Sequence, residues 1–391
     1  MKKNIKDVKD LKNKKVFVTC DFNISLNNGK IANDTRIREA IPTIKYLLSQ
    51  NCKIILASHL GRPNGHDLKY TLSPVAERIE SILHKKVELV DKFWENDALE
   101  KIDKIPSGDI ILLENIRFFK GEKQNDNKFA RNLSKMAEIF VNDAFGASHR
   151  AHASIVGISK FLPSVAGLLL SKEITMLNRA LVSPKRPFVV FIGGAKTPEK
   201  ISVIEKLLDL ADTVCLGGAI ANTFLAAWGF GMGKSLVDYE MVEMARQVFW
   251  KTTRHHTALI LPTDVVIATN GDKKTIKTVP YDKVPGHVAI YDIGPETNRL
   301  YKKLALSAKT IIWNGPMGFY EDPHFKKGTD TLLEDVAASK AFKIIGGGDT
   351  LTVLHQKNIL HKFDHISTGG SAMLEFIKSG TLPGIEVLEN K

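Results

Sequence analysis

Short apolar runs rich in β-branched residues alternate with longer amphipathic stretches along the whole chain. The apolar runs predict strands at 15–19, 53–58, 110–113, 139–142, 188–192, 213–216, 258–261, 309–313, 341–345 and 363–366. Between them, apolar residues recur at helical spacing, most clearly at 37–48, 74–83 and 201–210. Regular alternation of strand and helix is typical of parallel sheets with helices on both faces. The pattern therefore predicts an α/β fold.

The length of the chain adds a domain division to this fold. A single hydrophobic core rarely extends beyond about 250–300 residues, so 391 residues predict two domains. A helical stretch at 168–182 ends where Pro184 and Pro187 interrupt it. We therefore predict two doubly wound, Rossmann-like parallel-sheet domains at 1–168 and 188–376, joined by a helix and hinge at 169–187.

The net charge of +12 suggests an anionic partner, but most of it is interpreted as solvated lysine surface. The first twenty residues alone carry seven lysines and two aspartates. No basic run is interleaved with aromatic residues as in a nucleic-acid stacking platform. The N-terminus lacks the apolar segment of a secretory signal, and no apolar stretch reaches the ~20 residues that span a membrane. We expect a cytoplasmic monomer without membrane or nucleic-acid partners.

Cationic residues follow the predicted strands of the first half. In parallel sheets, ligands bind beyond the carboxyl ends of the strands. The arginines and histidines near those ends are Arg36, His59, Arg62, Arg117, His149, Arg150 and His152. Arginine pairs bidentately with carboxylate and phosphate, and a cluster of arginines repels itself unless an anion is bound. The first half therefore predicts a site for a small dianion.

Glycine-rich turns follow the predicted strands of the second half, at 193–196, 217–219, 314–318, 346–350 and 367–371. Glycine lets the backbone approach a ligand and direct N–H groups at phosphate. Lys196 and Lys200 flank a predicted helix start and repel each other unless an anion lies between them. The second half therefore predicts a nucleotide site. Asp349 is interpreted either as a helix N-cap or as a carboxylate that holds Mg²⁺.

Two other nucleotide motifs are excluded. A dinucleotide-binding dehydrogenase needs GxGxxG after the first strand, and residues 20–23 contain no glycine. Residues 229–235 resemble the end of a P-loop, but Trp228 stands where its first glycine should be. We interpret this segment as a loop between two helices.

Ten stretches of the chain, in family order, resemble phosphoglycerate kinase. They are residues 21–23, 35–37, 58–63, 113–118, 141–154, 193–200, 292–295, 313–318, 346–350 and 367–370. The resemblance implies reversible phosphoryl transfer between ATP and 3-phosphoglycerate, which gives ADP and 1,3-bisphosphoglycerate, with Mg²⁺ as cofactor. It implies direct in-line transfer after the domains close over a deep cleft. It also implies that the C-terminal tail, 377–391, packs back on the first domain.

The resemblance assigns roles to individual residues. The expected glycerate-binding residues are Asp21, Phe22, Asn23, Arg36, His59, Leu60, Gly61, Arg62, Arg117 and Arg150. The expected nucleotide-binding residues are Gly194, Ala195, Lys196, Lys200, Gly218, Asn314, Glu321, Gly346, Gly347, Gly348, Asp349 and Thr350. The expected catalytic residues are Arg36, Lys196, Lys200, Gly347 and Gly370. Asp349 is the expected metal ligand.

Three positions depart from the family pattern. The family usually has arginine at the position of Thr19 and glycine at the positions of Ala219 and Ser371. Weaker glycerate binding is the hypothesis that follows from Thr19. The alternative function is a non-catalytic nucleotide sensor or nucleic-acid binder, and loss of the catalytic residues would favour it. Arg36 and both lysines are present, so we expect an enzyme.

Overall fold

The structure is a computed structural model that describes residues 1–27, 29–195, 197–254, 256–347 and 359–391. Its packing divides the chain into two compact units. The first unit comprises Met1–Ile174 and Thr381–Lys391, and the second comprises Thr175–Gly380. The division falls inside the helix Leu168–Leu181, which is therefore shared between the units.

A parallel sheet forms the centre of the first unit. The strands of this unit are β1 (Lys15–Thr19), β2 (Leu26–Asn27), β3 (Lys30–Ile31), β4 (Lys53–Ala57), β5 (Val87–Val90), β6 (Ile110–Leu113), β7 (Ile139–Asn142) and β8 (Ser164–Ala166). The sheet has the order β5-β6-β4-β1-β7-β8, and all its pairings are parallel. The short strands β2 and β3 pair with each other in an antiparallel ribbon.

Helices cover both faces of this sheet. They are α1 (Thr35–Ser49), α2 (Ser73–Leu83), α3 (Asn96–Asp103), α4 (Lys120–Lys123), α5 (Asn127–Ser134) and α6 (Leu168–Leu181). Side chains alternate between the faces of a strand, so Val16 and Val18 of β1 pack in the core beneath α1 and α2. Phe17 points to the other face, where it packs with Ile102 of α3 and Leu133 of α5. Burial on both faces explains why the strands are continuous apolar runs.

The second unit has a second parallel sheet and a smaller antiparallel one. Its strands are β9 (Phe188–Ile192), β10 (Thr213–Leu216), β11 (Ala258–Ile260), β12 (Asp264–Ala268), β13 (Lys277–Pro280), β14 (Ala289–Ile293), β15 (Thr310–Asn314), β16 (Phe342–Gly346) and β17 (His365–Ile366). The parallel sheet has the order β11-β10-β9-β15-β16-β17. The antiparallel sheet has the order β13-β12-β14.

The helices of the second unit follow its strands. They are α7 (Thr197–Leu207), α8 (Gly218–Ala227), α9 (Val242–Thr252), α10 (Pro295–Ser307), α11 (Lys327–Ala338) and the helix Gly370–Ser379. The chain runs from β9 outwards to β11 and then returns to place β15 on the other side of β9. The order of the strands therefore reverses between β9 and β15. In open α/β sheets, ligands bind at this point, beyond the carboxyl ends of the two strands.

The C-terminal residues lie against the first unit. Lys3 N–H donates to Glu389 O at 2.8 Å, and Glu389 N–H donates to Ser164 O at 2.9 Å. Asn142 Nδ2 donates to Gly384 O at 2.8 Å. A Cβ atom added to Gly384 would lie 2.6 Å from Ile155 Cγ2, so the tail is closely packed there.

The predicted fold class is confirmed, because both units are parallel sheets flanked by helices. The strands β5 and β8, the ribbon of β2 and β3, and the antiparallel sheet were not predicted. The strand β13 is mostly exposed and polar, so no apolar run marks it in the sequence. Among the described residues, no helix combines the length and the apolar character that a membrane span needs.

Candidate active site

Asp21 organises the turn that follows β1 in the first unit. Arg36, near the start of α1, donates from Nη1 to Asp21 Oδ1 at 2.8 Å and to Asn23 O at 3.1 Å. Asn23 N–H also donates to Asp21 Oδ1, at 3.1 Å. Burial raises the pKa of Asp21, but the charges of Arg36 and Arg117, the neighbouring His59 and the Asn23 N–H together outweigh it, and the net pKa lies below the usual value. Asp21 is therefore ionised and holds Arg36 against the strand end.

The turns that follow β1, β4 and β6 are hydrogen-bonded to one another. Gly61 N–H donates to Asn23 Oδ1 at 2.8 Å, and Arg117 Nη1 donates to Gly61 O at 2.8 Å. Asn115 Nδ2 donates to Leu60 O at 2.8 Å from the same turn as Arg117. Asn23, Gly61 and Arg117, expected from sequence to share a site, are therefore brought together.

The electrostatics of this cluster favour an anion. Burial, together with the charges of Arg150 and Arg62, lowers the pKa of the Arg117 guanidinium to about 10, although the charges of Glu122 and Asp21 oppose the shift. Arg117 Nε is buried and has no hydrogen-bond partner in the described part of the chain. A buried cation with an unused donor and cationic neighbours is costly unless an anion compensates it.

His59 is a neutral member of the cluster. The residue is buried, and burial lowers the pKa of its imidazole to about 3. Asp21 opposes this shift, whereas Arg117 and Arg36 add to it. The ring is therefore uncharged at neutral pH and contributes hydrogen-bonding capacity rather than charge.

The other expected glycerate residues differ in accessibility. Phe22 and Leu60 are buried in the core of the first unit, so their side chains are not available to a ligand. Arg62 is exposed, and Arg150 is half-buried with its Nε 3.1 Å from His149 Nε2. Thr19 is buried, and its hydroxyl donates to Ser154 O at 2.8 Å. The position that the family usually fills with arginine is thus a bonded interior position in this chain.

A cavity of about 440 Å³ lies beside the glycine turns of the second unit. The turns after β9, β10 and β15 and the loop after α8 line it. Its lining includes the expected residues Gly194, Ala195, Gly218 and Glu321. The cavity therefore lies at the edge of the sheet where the strand order reverses.

The glycines of these turns pack backbone against backbone. Gly218 has φ +60°, and a Cβ atom there would lie 2.7 Å from Gly194 N. A Cβ atom on Gly193 would overlap Pro316 O. Close approach by a ligand is the reason for these glycines that the sequence pattern predicts. The structure adds a second cause, because the turns after β9, β10 and β15 leave no space for side chains between them.

Lys200 lies at the same edge of the sheet. The residue is buried in the first turns of α7, and its Nζ donates to Gly193 O. A Cβ atom on either Gly194 or Gly315 would lie 2.8 Å from that Nζ. The ammonium group is therefore next to the turns that follow β9 and β15, where the strand order reverses.

The remaining expected nucleotide residues are partly outside the described residues. Lys196, Gly348, Asp349 and Thr350 lie outside them. Asn314 ends β15 and is buried, and its Nδ2 has no hydrogen-bond partner within the described ranges. Gly346 ends β16 against Met373, Gly347 follows with φ +105°, and Gly370 begins the helix Gly370–Ser379.

Sequence reasoning missed several residues that line the cavity. Lys234 comes from the segment that was dismissed as a false P-loop, which lies in the loop between α8 and α9. Leu236 and Phe319 also line the cavity and are 64% and 48% exposed. Large apolar side chains exposed on a cavity favour a flat apolar ligand group. No sequence pattern marks them, because exposure of an apolar residue depends on the fold.

The described residues contain no group of three or more histidine, cysteine, aspartate or glutamate side chains placed to hold a metal ion. The expected metal ligand, Asp349, lies outside these residues. The three cysteines are buried and free.

A sequence model of the phosphoglycerate kinase family matches residues 5–380 of the chain. The phosphoglycerate kinases of Pelotomaculum thermopropionicum and Dictyoglomus turgidum are each 44% identical to the chain, and the alignments cover 100% of this chain and of each relative. These matches extend over both units.

Solved structures agree with the sequence comparisons. Phosphoglycerate kinase from Coxiella burnetii has a TM-score of 0.88 at 38% identity, with 99% of this chain and 98% of that chain covered. The enzyme from Pyrococcus horikoshii has a TM-score of 0.88 at 31% identity, with 98% of each chain covered. The resemblance inferred from the motifs is confirmed. The chain belongs to the phosphoglycerate kinase family, the enzymes that transfer a phosphoryl group between ATP and 3-phosphoglycerate in glycolysis.

Proposed function

We propose that the cationic turns of the first unit bind 3-phosphoglycerate. Asp21 and Asn23 contact its hydroxyl side, while His59, Arg62, Arg117 and Arg150 hold its phosphate. The observation that supports this assignment is the buried Arg117, whose Nε has no partner among the described residues and whose pKa is lowered by burial and by the charges of Arg150 and Arg62. Its planar fork suits a phosphate oxygen pair.

The nucleotide binds in the cavity of the second unit. The exposed apolar residues Leu236 and Phe319 contact the base, and Glu321 contacts the ribose. Lys200 meets the phosphates beside Gly193 and Gly194. Lys196 and the backbone of residues 346–350 complete the phosphate site in this proposal.

Asp349 holds Mg²⁺ in this proposal. When bound with the nucleotide, the ion neutralises phosphate charge. The protein's own share is to align the phosphoryl donor and acceptor and to neutralise charge with Arg36, Lys196 and Lys200. Phosphoryl transfer through a loose transition state needs little covalent assistance. The transfer is therefore direct and in line, and no side chain is phosphorylated.

A coupled assay with ATP, Mg²⁺ and 3-phosphoglycerate tests the function. The wild-type chain is expected to turn over, and Arg36→Ala is expected to lower kcat by about 10²–10³-fold, the usual effect of losing one charged stabiliser of the transition state. The matched control is Arg38→Ala, since Arg38 lies on the same helix and pairs with Asp34 at 2.9 Å. Absence of wild-type turnover, or equal kcat in both variants, would refute the assignment.

We also propose that the enzyme acts as a monomer in the cytoplasm and binds no nucleic acid. Family membership supports this, and most of the charge of +12 is assigned to solvated lysines. Light scattering at assay concentration tests the oligomeric state. A salt-dependent shift in RNA-binding assays would contradict the last point.

A further inference from the structure

A buried carboxylate, Glu122, lies beside the cationic turns and has no part in the proposed transfer. It is 2% exposed and belongs to the short helix α4. A buried carboxylate is costly unless hydrogen bonds or cations satisfy it. Its partners therefore indicate what this acid stabilises.

Glu122 binds Ser154 through two hydrogen bonds. Ser154 N–H donates to Glu122 Oε2 at 3.0 Å, and the Ser154 hydroxyl donates to Oε1 at 2.8 Å. On the other side, the Thr19 hydroxyl donates to Ser154 O at 2.8 Å. The N–H, the hydroxyl and the carbonyl of the fully buried Ser154 are thus all held.

These bonds join two segments that carry arginines of the proposed glycerate site. Arg117 lies in the turn just before α4, five residues from Glu122, and Arg150 lies four residues before Ser154. The charge of Arg150 disfavours the cationic form of Arg117. The two segments therefore have to be held in place against the repulsion between Arg117 and Arg150.

Glu122 also supplies charge of the opposite sign. Among the influences on Arg117, burial and Arg150 oppose its cationic form, whereas the charge of Glu122 supports it. His152 Nδ1 lies 3.6 Å from Glu122 Oε1. The Glu122 carboxylate thus holds Ser154 by hydrogen bonds and supports the charge of Arg117.

We propose that Glu122 is a positioning residue for 3-phosphoglycerate binding, which acts by clamping Ser154 and so fixes Arg150 relative to Arg117. The inference rests on the proposed function of the first unit. Thr19 completes the clamp with its hydroxyl, so the departure at this position is a structural part of the site.

Calorimetric titration of Glu122→Gln with 3-phosphoglycerate and, separately, with ADP tests the proposal. The affinity for 3-phosphoglycerate is expected to fall about tenfold, the scale of a lost charged hydrogen bond, while the ADP affinity stays within about twofold. The control is Glu100→Gln, which removes an exposed acid of the same unit that pairs with Lys104. A purely structural role would not weaken one ligand selectively.

A second pair of variants keeps the test open if Glu122→Gln fails to fold. Thr19→Val removes the hydroxyl that holds Ser154 O, whereas Thr19→Ser retains it. The valine variant is expected to bind 3-phosphoglycerate about threefold to tenfold more weakly than the serine variant, as for one neutral hydrogen bond.

Two results would overturn the clamp proposal. One is an equal 3-phosphoglycerate affinity in Thr19→Val and Thr19→Ser, and the other is an unchanged 3-phosphoglycerate affinity in folded Glu122→Gln. The same applies to a parallel loss of ADP affinity. If the wild-type chain itself fails to bind 3-phosphoglycerate, the proposed function is wrong. If the wild-type chain binds it and the variants do not differ, only the clamp is wrong.

Discussion

The two units build their candidate sites from different parts of the chain. In the first unit the site consists of side chains, where Arg36 and Arg117 are held by Asp21 and by the carbonyl of Gly61. In the second unit the site consists largely of backbone, because Gly193, Gly194 and Gly218 pack directly on neighbouring turns. The first site should therefore be sensitive to removal of side chains, and the second to addition of them.

The difference has a physical cause in the charge of each site. Clustered arginines repel one another, so the first unit needs acids such as Asp21 and Glu122 to hold them. Backbone N–H groups are dipoles without net charge and can be clustered without such compensation. The described side-chain cations that this backbone site adds include Lys200, beside Gly193, and Lys234, which lines the cavity.

The largest expected effect comes from Lys200, a side chain in the second unit. Lys200→Met is expected to lower kcat by about 10²–10³-fold, because the ammonium group beside Gly193 is proposed to neutralise the transferring phosphoryl group. Steady-state assays of this variant and of Lys206→Met provide the measurement. Lys206 lies on the same helix, is half-exposed and pairs with Asp209, so it serves as the control. A change in the ATP KM alone would assign Lys200 to binding only.

Addition of one methyl group tests the backbone character of the second site. Gly218→Ala is expected to destabilise the protein by about 2–4 kcal/mol, because φ is +60° and the added Cβ would lie 2.7 Å from Gly194 N. Gly229→Ala is the control, since its φ is +92° but nothing lies within 4 Å of the added Cβ. Denaturant unfolding should show the smaller loss for Gly229→Ala. Equal losses would mean that backbone conformation, and not turn packing, requires glycine at 218.

Each unit contains a buried carboxyl group, and we expect these two groups to have a smaller, pH-dependent effect on stability. Asp143 accepts from Leu170 N–H at 3.1 Å, near the start of α6, and Asp292 accepts from Gly328 N–H at 2.6 Å, near the start of α11. Burial raises the pKa of each carboxyl to about 7. The ordinary value is 3.8, so the native state binds more protons between these values.

Each group therefore contributes stability that is fully present below about pH 4 and is lost as pH rises towards 7, by at most about 1.4 kcal/mol per pH unit. Replacement by asparagine removes this titration. The melting temperature of Asp143→Asn is expected to fall less than that of wild type between pH 5 and 7. Asp109→Asn, which removes an exposed acid paired with Lys85, should keep the wild-type slope. A wild-type slope in Asp143→Asn would mean that this carboxyl is ionised throughout.

The last prediction is that His59 does not titrate near neutral pH. The pKa of His59 is lowered to about 3, so its ring stays neutral from pH 5 to 8. Its NMR ring resonances should not shift over this range, and the ratio of 3-phosphoglycerate affinities between wild type and His59→Gln should stay constant. A midpoint near pH 6.5 would show that the ring is hydrated and charged in the free enzyme.

Much of the architecture was readable from the chain alone. Apolar runs at positions such as 15–19 and 188–192 became strands with those bounds, because burial on both faces requires uninterrupted apolar residues. Residues that follow such strands are adjacent along one sheet edge. This is why Asn23, Gly61 and Arg117, far apart in sequence, could be expected together.

The contacts that each residue of those turns makes depend on the tertiary structure. Phe22 and Leu60 lie in the same turns as Asp21 and His59, yet their side chains belong to the core. The Glu122 carboxylate reaches Ser154, which lies 32 positions further along the chain, a pairing that no local pattern marks. Local periodicity reflects which face of an element is buried, whereas contacts between turns depend on how separate elements pack. The sequence thus determined where the two sites lie, and the packing of the turns determined how they are built.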